Sequence, residues 1–142
     1  MRRSSTAARS TPPPLTPDST VAREWVRYAT SDLRLAEAAP PSGVLLEHLC
    51  FHAQQAAEKA TKAVLVAHGV VPPKIHDIAR LFSLVREHTD VPTSLEPASG
   101  LTVFSVVTRY PADLGEVDGA EWADCVARAR AVVAWAAAEV GA

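Results

Sequence analysis

The chain has 142 residues, enough for one domain with one modest core. Charged residues make up 21% and apolar residues 48%, a globular balance in which abundant alanine and few aromatic residues favour closely packed helices over sheets. Residues 1–18 carry three arginines and one aspartate, a charge of +2, so the rest carries −4 of the net −2. This balance excludes a general basic field for nucleic acid, and any such contact would need a local patch.

The compartment is indicated by the cysteines and by the absence of apolar runs. Cys50 and Cys125 each lie in an apolar helical pattern, where a thiol usually behaves as a small buried hydrophobe. No run of about 18 apolar residues and no secretion-signal pattern is present. We expect a cytoplasmic protein in a reducing compartment, with no membrane association.

Residues 1–18 are rich in Pro, Ser, Thr and Arg and have little to bury, which predicts a disordered tail followed by one domain over 19–142. The first helix is predicted over about 20–39. Its apolar face is predicted to contain Val21, Trp25, Ala29, Leu33 and Ala36.

The second helix is predicted to be the longest, over about 43–68. Ser42 follows two prolines and is expected to cap its start, and Gly69 suits a left-handed cap at its end. One side of this helix is rich in alanine and is predicted to face the core. The opposite side is also apolar, which predicts a homodimer interface. The predicted interface residues are Val44, Phe51, Leu65 and Val66.

A third helix is predicted over about 77–88, with Asp77 at its positive end. Residues 90–100 are predicted to form a loop with room for one helical turn. Residues 101–110 have an ambiguous pattern that we assign to a short helix, because an isolated strand would have no partner.

The last helix is predicted over about 120–140, started by a capping box of Asp118 and Glu121. Its apolar stripe is predicted to be Trp122, Val126, Ala129, Val133 and Ala136. These elements predict an all-α fold, an antiparallel up-and-down bundle of four to five helices.

A line of polar residues runs along the second helix between its two apolar sides: His48, His52, Gln55, Lys59 and Lys62. Imidazole, amide and ammonium groups suit a phosphate or another anion. The alternative is a solvated helix face supported by a Glu58–Lys62 pair. No glutamate stands between His48 and His52 in the metalloprotease pattern and no third ligand follows, so we expect neither a metal nor another cofactor.

Several short motifs follow one another along the chain. They are Trp25 with Ala29 and Asp32-Leu33, then CFHAQQAAEKATKA, then HG before PPKIHD, and finally RYP at residues 109–111. In this order they resemble a HEPN domain, the family named for higher eukaryotes and prokaryotes nucleotide-binding, over approximately residues 20–138. The resemblance implies a helical bundle, often dimeric, that forms a complex with a minimal nucleotidyltransferase in toxin–antitoxin-like systems.

Active ribonucleases of this family have an arginine, four to six intervening residues and a histidine. After Arg109 the corresponding positions are Leu114, Gly115 and Glu116, and Arg80 is separated from His88 by seven residues, so the motif is absent. His76 and Arg109 are the remaining catalytic candidates, because an imidazole can move a proton and a guanidinium can bind phosphate.

We therefore expect a non-catalytic module that binds a nucleotide or anion, a nucleotidyltransferase partner, or both. The candidate ligand contacts are His52, Gln55, Lys59, Lys62, Lys74 and Arg109. Two alternatives stay open. One is a metal-independent endoribonuclease that uses Arg109 with His76 or His52, although no motif supports RNA as a substrate. The other is a structural dimerisation scaffold.

Overall fold

The computed structural model describes residues 17–105 and 115–142. Within these ranges the chain forms four α-helices, one 3-10 helix and no strand, which confirms the all-α bundle. The elements are α1 (Pro17–Glu37), α2 (Leu46–Ala67), α3 (Ile78–Arg86), the 3-10 helix η1 (Thr93–Phe104) and α4 (Gly119–Val140). No helix in the described part of the chain has the length and apolar character needed to cross a membrane.

Helix α2 lies at the centre of the bundle and packs against α1, α3, η1 and α4. Its Ala53, Ala56, Ala57 and Ala60 are fully buried, and such small side chains allow neighbouring helices to approach closely. The two free cysteines, on α2 and α4, are buried in the same core, as expected.

The outer side of α2 is covered largely by its own chain. Leu65 and Val66 were predicted to lie on a dimer surface, but only 1% and 8% of them is exposed, and the buried faces of α3 and η1 belong to the same core as Leu65. These two elements supply the second partner that an apolar outer side of α2 requires. Of the predicted interface residues, Val44 is exposed and Phe51 is partly exposed, and their contact with a second copy stays a prediction.

The buried face of helix α1 agrees with the prediction at Ala29, Leu33 and Ala36 and differs from it at the N-terminal end of the helix. The buried face consists of Ala22, Val26, Ala29, Leu33 and Ala36. Val21, which was predicted to be in the core, is instead 48% exposed, and Trp25 lies at the edge of the core. The prediction was wrong at Val21 because alanine at position 22, rather than the larger valine, fits the close contact inside the bundle.

The predicted helix boundaries are confirmed at three places. Asp77 accepts a hydrogen bond from the backbone N of Arg80, and Asp118 and Glu121 form a complete capping box at the start of α4. Gly69 follows α2 with φ of 77°, and the Gly69 and Val70 N–H groups donate back to the carbonyls of Val66 and Leu65. This hydrogen-bond pattern is the Schellman motif.

The expected cap by Ser42 is wrong, because α2 starts four residues later and its N-cap is Leu45, which makes no side-chain cap bond. The loop predicted over 90–100 is also wrong, since η1 covers most of it. Its buried residues, Leu95, Ala98 and Leu101, recur every three positions, the period of a 3-10 helix. The predicted short helix over 101–110 is described only to residue 105, and Arg109-Tyr110-Pro111 lies outside the described residues.

Candidate binding surface

Four of the five residues of the polar line predicted on α2 belong to two hydrogen-bonded clusters. The first joins α2 to α1 through Asp32, which is 8% exposed. The ammonium Nζ of Lys59 donates to Oδ2 of Asp32 at 2.7 Å, and Nδ1 of His52 lies 3.1 Å from Oδ1 of the same carboxylate. The carboxylate thus has a partner on each oxygen.

The second cluster is centred on Glu58, which is 4% exposed. Its carboxylate accepts hydrogen bonds from Nζ of Lys62 and Nε2 of Gln54, each at 2.9 Å. Nδ1 of His76, in the segment before α3, lies 2.9 Å from the carboxylate oxygen Oε1. Glu58 therefore ties this segment to the centre of the bundle.

The ionisation of Glu58 reflects two opposing effects. Burial raises the pKa of this carboxyl, whereas hydrogen bonds from Lys62, Gln54 and His76 lower it. The net pKa is lowered, because three polar partners stabilise the charged form more than the loss of water destabilises it. Glu58 is thus a buried carboxylate ion rather than a neutral acid at neutral pH.

Several of the predicted anion ligands already have partners within the chain. Lys59 and Lys62 are each neutralised by a carboxylate of the same chain, and Gln55 donates from Nε2 to Oε1 of Gln54 at 2.8 Å. The alternative of a solvated face is wrong for Lys62, which is 6% exposed. A free phosphate would have to compete with Asp32 and Glu58 for both ammonium groups.

The other predicted site residues within the described ranges lie at the surface. His48 and Lys74 are exposed, and Lys74 forms no ion pair within the described ranges. His76 is largely exposed at the rim of the Glu58 cluster, and Arg109 lies outside the described residues. In the part of the chain that the structure describes, no three metal-ligating side chains come together.

A groove that the sequence analysis missed lies between α1 and α2. We call it the α1 groove, lined by Val21, Glu24, Trp25, Tyr28 and Lys59, with a volume of about 430 Å³. Its surface is almost entirely apolar, and two aromatic residues contribute to it. Lys59 links the groove to the Asp32 cluster. A groove of this size and lining accepts an apolar or aromatic group.

The groove is part of a longer apolar line, the α1 stripe, formed by Val21, Tyr28 and Leu35. These three side chains are 48%, 54% and 50% exposed, and they recur every seven residues on the outer face of α1. Arg27 lies over the ring of Tyr28 at 5.2 Å and pairs with Glu24 at 2.6 Å. The stripe spans about 21 Å of helix. Large apolar residues aligned in this way are typical of a contact surface.

A sequence signal for this surface exists. A seven-residue repeat of large apolar residues can be read from positions 21, 28 and 35, and a second repeat of mostly small residues runs beside it. Of the three stripe residues, only Val21 was assigned to the core, because it is larger than the neighbouring Ala22. Extending the core repeat of Ala29 and Ala36 back to Ala22 separates the two stripes.

A second cavity, at the end of the bundle, has a different character. It has a volume of about 480 Å³ and is mainly polar, with walls from residues 86–90, Pro92, Trp135 and Glu139. Arg86 is paired with Glu96 at 2.9 Å, and Glu139 accepts a hydrogen bond from Thr89. The mixed charges of its walls give this cavity no single binding character, unlike the apolar α1 groove.

Comparison with known proteins gives a consistent result. A family model described as "HEPN domain" matches residues 22–140. TT1696 from Thermus thermophilus, a crystal structure, is 30% identical with a TM-score of 0.71, over 83% of this chain and 97% of that one. The crystal structure of ST0689, an archaeal HEPN homologue, is 26% identical with a TM-score of 0.63, over 84% and 97% of the two chains. No curated protein matches the chain.

Proposed function

Because the chain belongs to the HEPN domain family, we propose that it is a non-catalytic module that binds a partner protein on the α1 stripe and the α1 groove. The observation that carries the proposal is the half-exposed line of Val21, Tyr28 and Leu35 on a helix whose opposite face is packed. The family resemblance suggests the class of partner, a minimal nucleotidyltransferase in a toxin–antitoxin-like system.

The energetic argument rests on apolar area. Covering the exposed half of each stripe side chain would contribute roughly 1 kcal/mol per residue. Trp25 and Tyr28, in the groove, are of the residue types that dominate binding energy at protein interfaces. An apolar helix face with such anchors is a common recognition mode between proteins.

Charge supports a protein partner over a free anion. The ammonium of Lys59 at the groove is neutralised by Asp32, and Lys62 is buried against Glu58. A free anion would gain little attraction from Lys59 and Lys62, because their carboxylate partners are nearly buried, whereas an apolar side chain needs no free charge.

The test is co-expression of the full chain with a minimal nucleotidyltransferase from the same genome, followed by sedimentation analysis of the complex. Val21→Asp should abolish the complex, because it places a carboxylate in the apolar contact. Val71→Asp is the matched control, since Val71 is 89% exposed and lies outside α1. Equal complex formation by both variants would exclude the α1 stripe, provided that circular dichroism shows both to be folded.

A second candidate function is nucleotide binding in the same groove. It is favoured by the two aromatic residues, on which a base can stack, and by the exposed guanidinium of Arg27 over the ring of Tyr28. Calorimetry with ATP, GTP and AMP tests it. Heat of binding that disappears in Tyr28→Ala would support a nucleotide site, and no heat with any of the three at millimolar concentration would leave the protein partner.

The endoribonuclease alternative is favoured by one contact. His76 is exposed, and its Nδ1 is held by a buried carboxylate, an arrangement that orients an imidazole for proton transfer. Incubation with structured RNA decides it, because cleavage through this imidazole would be lost in His76→Ala and in Arg109→Ala. The scaffold alternative would use Val44 and Phe51, and sedimentation of Phe51→Asp against the unchanged chain tests that dimer.

A further inference from the structure

The geometry of the α1 stripe restricts the shape of what covers it. Val21, Tyr28 and Leu35 are spaced seven residues apart, so they lie along one line on α1. The same seven-residue spacing is found in helices that pack side by side. A second helix of about four turns, with apolar residues in the same repeat, would contact all three. The length of the stripe therefore suits an amphipathic helix better than a single inserted side chain.

The charge beside the stripe restricts the chemistry of that helix. Arg27 and Arg34 directly precede Tyr28 and Leu35, and their side chains are 69% and 70% exposed. Their partners are in the same helix: Glu24 pairs with Arg27, and Glu37 is shared between Arg34 and Arg130. Exposed pairs of this kind contribute little, so both guanidiniums remain able to take a carboxylate from a partner.

The same charges disfavour two other occupants. Two copies could cover the whole stripe by packing their α1 helices in antiparallel orientation, with Tyr28 at the centre of the contact. The two Arg27 guanidiniums would then come together as like charges. The sequence before Pro17 carries three arginines and no carboxylate, so it has the same sign as the flank of the stripe. A different protein with an acidic flank has the complementary sign.

We propose that the α1 stripe binds an amphipathic α-helix of another protein, whose carboxylates flank its apolar residues and pair with Arg27 and Arg34. This inference rests on the proposed function, since it names the chemistry of the partner at the same surface. The apolar residues supply the contact, and the carboxylates select the partner and its orientation.

The experiment is selection from a phage-displayed library of helical peptides against the full chain. The apolar heptad positions of the library are fixed, and the flanking positions are a mixture of Glu, Lys and Gln. We expect Glu to be enriched over Lys at the flanks, with a difference in affinity of about tenfold between matched Glu and Lys peptides, because two exposed ion pairs together contribute about that factor. The preference should decrease with added salt.

Variants separate the two levels of the proposal. The double variant Arg27→Glu and Arg34→Glu should reverse the preference toward Lys, whereas Arg80→Glu with Arg86→Glu, on α3, should leave it unchanged. If the selected peptides fail to bind the Tyr28→Asp variant but show no preference for Glu over Lys, the acidic helix is overturned and the proposed function stands. If no selected peptide depends on Tyr28, both are overturned.

Discussion

Nζ of Lys62 lies 2.9 Å from Oε2 of Glu58, and the two side chains are only 8% and 6% exposed although they are one helical turn apart on α2. A pair at this spacing is usually exposed and contributes a few tenths of a kcal/mol. Here the segment before α3 lies against it, since His76 contacts Glu58. Its energetic role therefore differs from that of a surface pair.

The first prediction concerns the loss of one partner. Lys62→Met leaves the carboxylate of Glu58 buried without its cation, and we expect a destabilisation of about 3 kcal/mol, the lower part of the range for a broken buried pair because Gln54 and His76 remain. Urea unfolding measures it. The control is Arg128→Met, which removes an exposed pair of the same spacing with Asp124 and should change the free energy of unfolding by less than about 1 kcal/mol. Equal effects of the two substitutions would mean that the Glu58 pair is solvated.

The second prediction concerns acid. The pKa of Glu58 is lowered in the folded state, so its contribution to stability is fully present above its unfolded pKa of about 4.3 and is lost as the pH falls through its folded pKa. Urea unfolding between neutral pH and acid should show this decline in the unchanged chain. Glu58→Gln should be less stable at neutral pH but should lose less stability on acidification. A decline of the same size in both proteins would contradict the assignment.

The third prediction concerns the packing of α2 against its neighbours. Ala57 is fully buried, and Ala57→Leu should destabilise the bundle by about 1–3 kcal/mol, because the added carbons have no space in a close helix contact. Ala131→Leu is the matched substitution at an exposed position of α4 and should have little effect. Thermal unfolding of the two variants checks the difference. An Ala57→Leu variant as stable as the unchanged chain would indicate an unfilled cavity beside α2.

The fourth prediction concerns the start of α4. Asp118→Ala removes the acceptor for the N–H of Glu121, which lies 2.8 Å from Oδ1 of Asp118. We expect a loss of about 1 kcal/mol in the free energy of unfolding. Asp118→Asn keeps an acceptor and should retain most of the stability. An Asn variant as unstable as the Ala variant would show that charge at the helix end, rather than the cap bond, is the cause.

The fold was predictable where local chemistry decides it. The cap residues Asp77, Asp118 and Gly69 act on their own helix ends, so their roles are visible in the sequence. The cap at Ser42 failed because the chain after two prolines runs on for several residues before it turns into α2. The 3-10 helix was not predicted, because a three-residue period over twelve residues matches neither the 3.6-residue period of an α-helix nor the alternation of a strand.

The site was harder to predict because it depends on contacts between elements. Lys59 and Lys62 were recognised as polar positions on a central helix. The partner of Lys59 is Asp32, which lies on another helix and was not foreseen. The partner of Lys62 is Glu58, which was foreseen but was expected at the surface. The burial of Glu58 depends on the packing of segments distant in sequence. On α1, Val21 was misplaced because the smaller Ala22 faces the core, and the stripe that Val21 forms with Tyr28 and Leu35 was not predicted.

The most direct test of the central claim is site-specific photocrosslinking in the complex with a minimal nucleotidyltransferase. A benzophenone amino acid is introduced at Tyr28, on the α1 stripe, or at Val71, which is exposed elsewhere. The account predicts a crosslink to the partner from position 28 and none from position 71. A stable complex that crosslinks from position 71 but not from position 28 would contradict it.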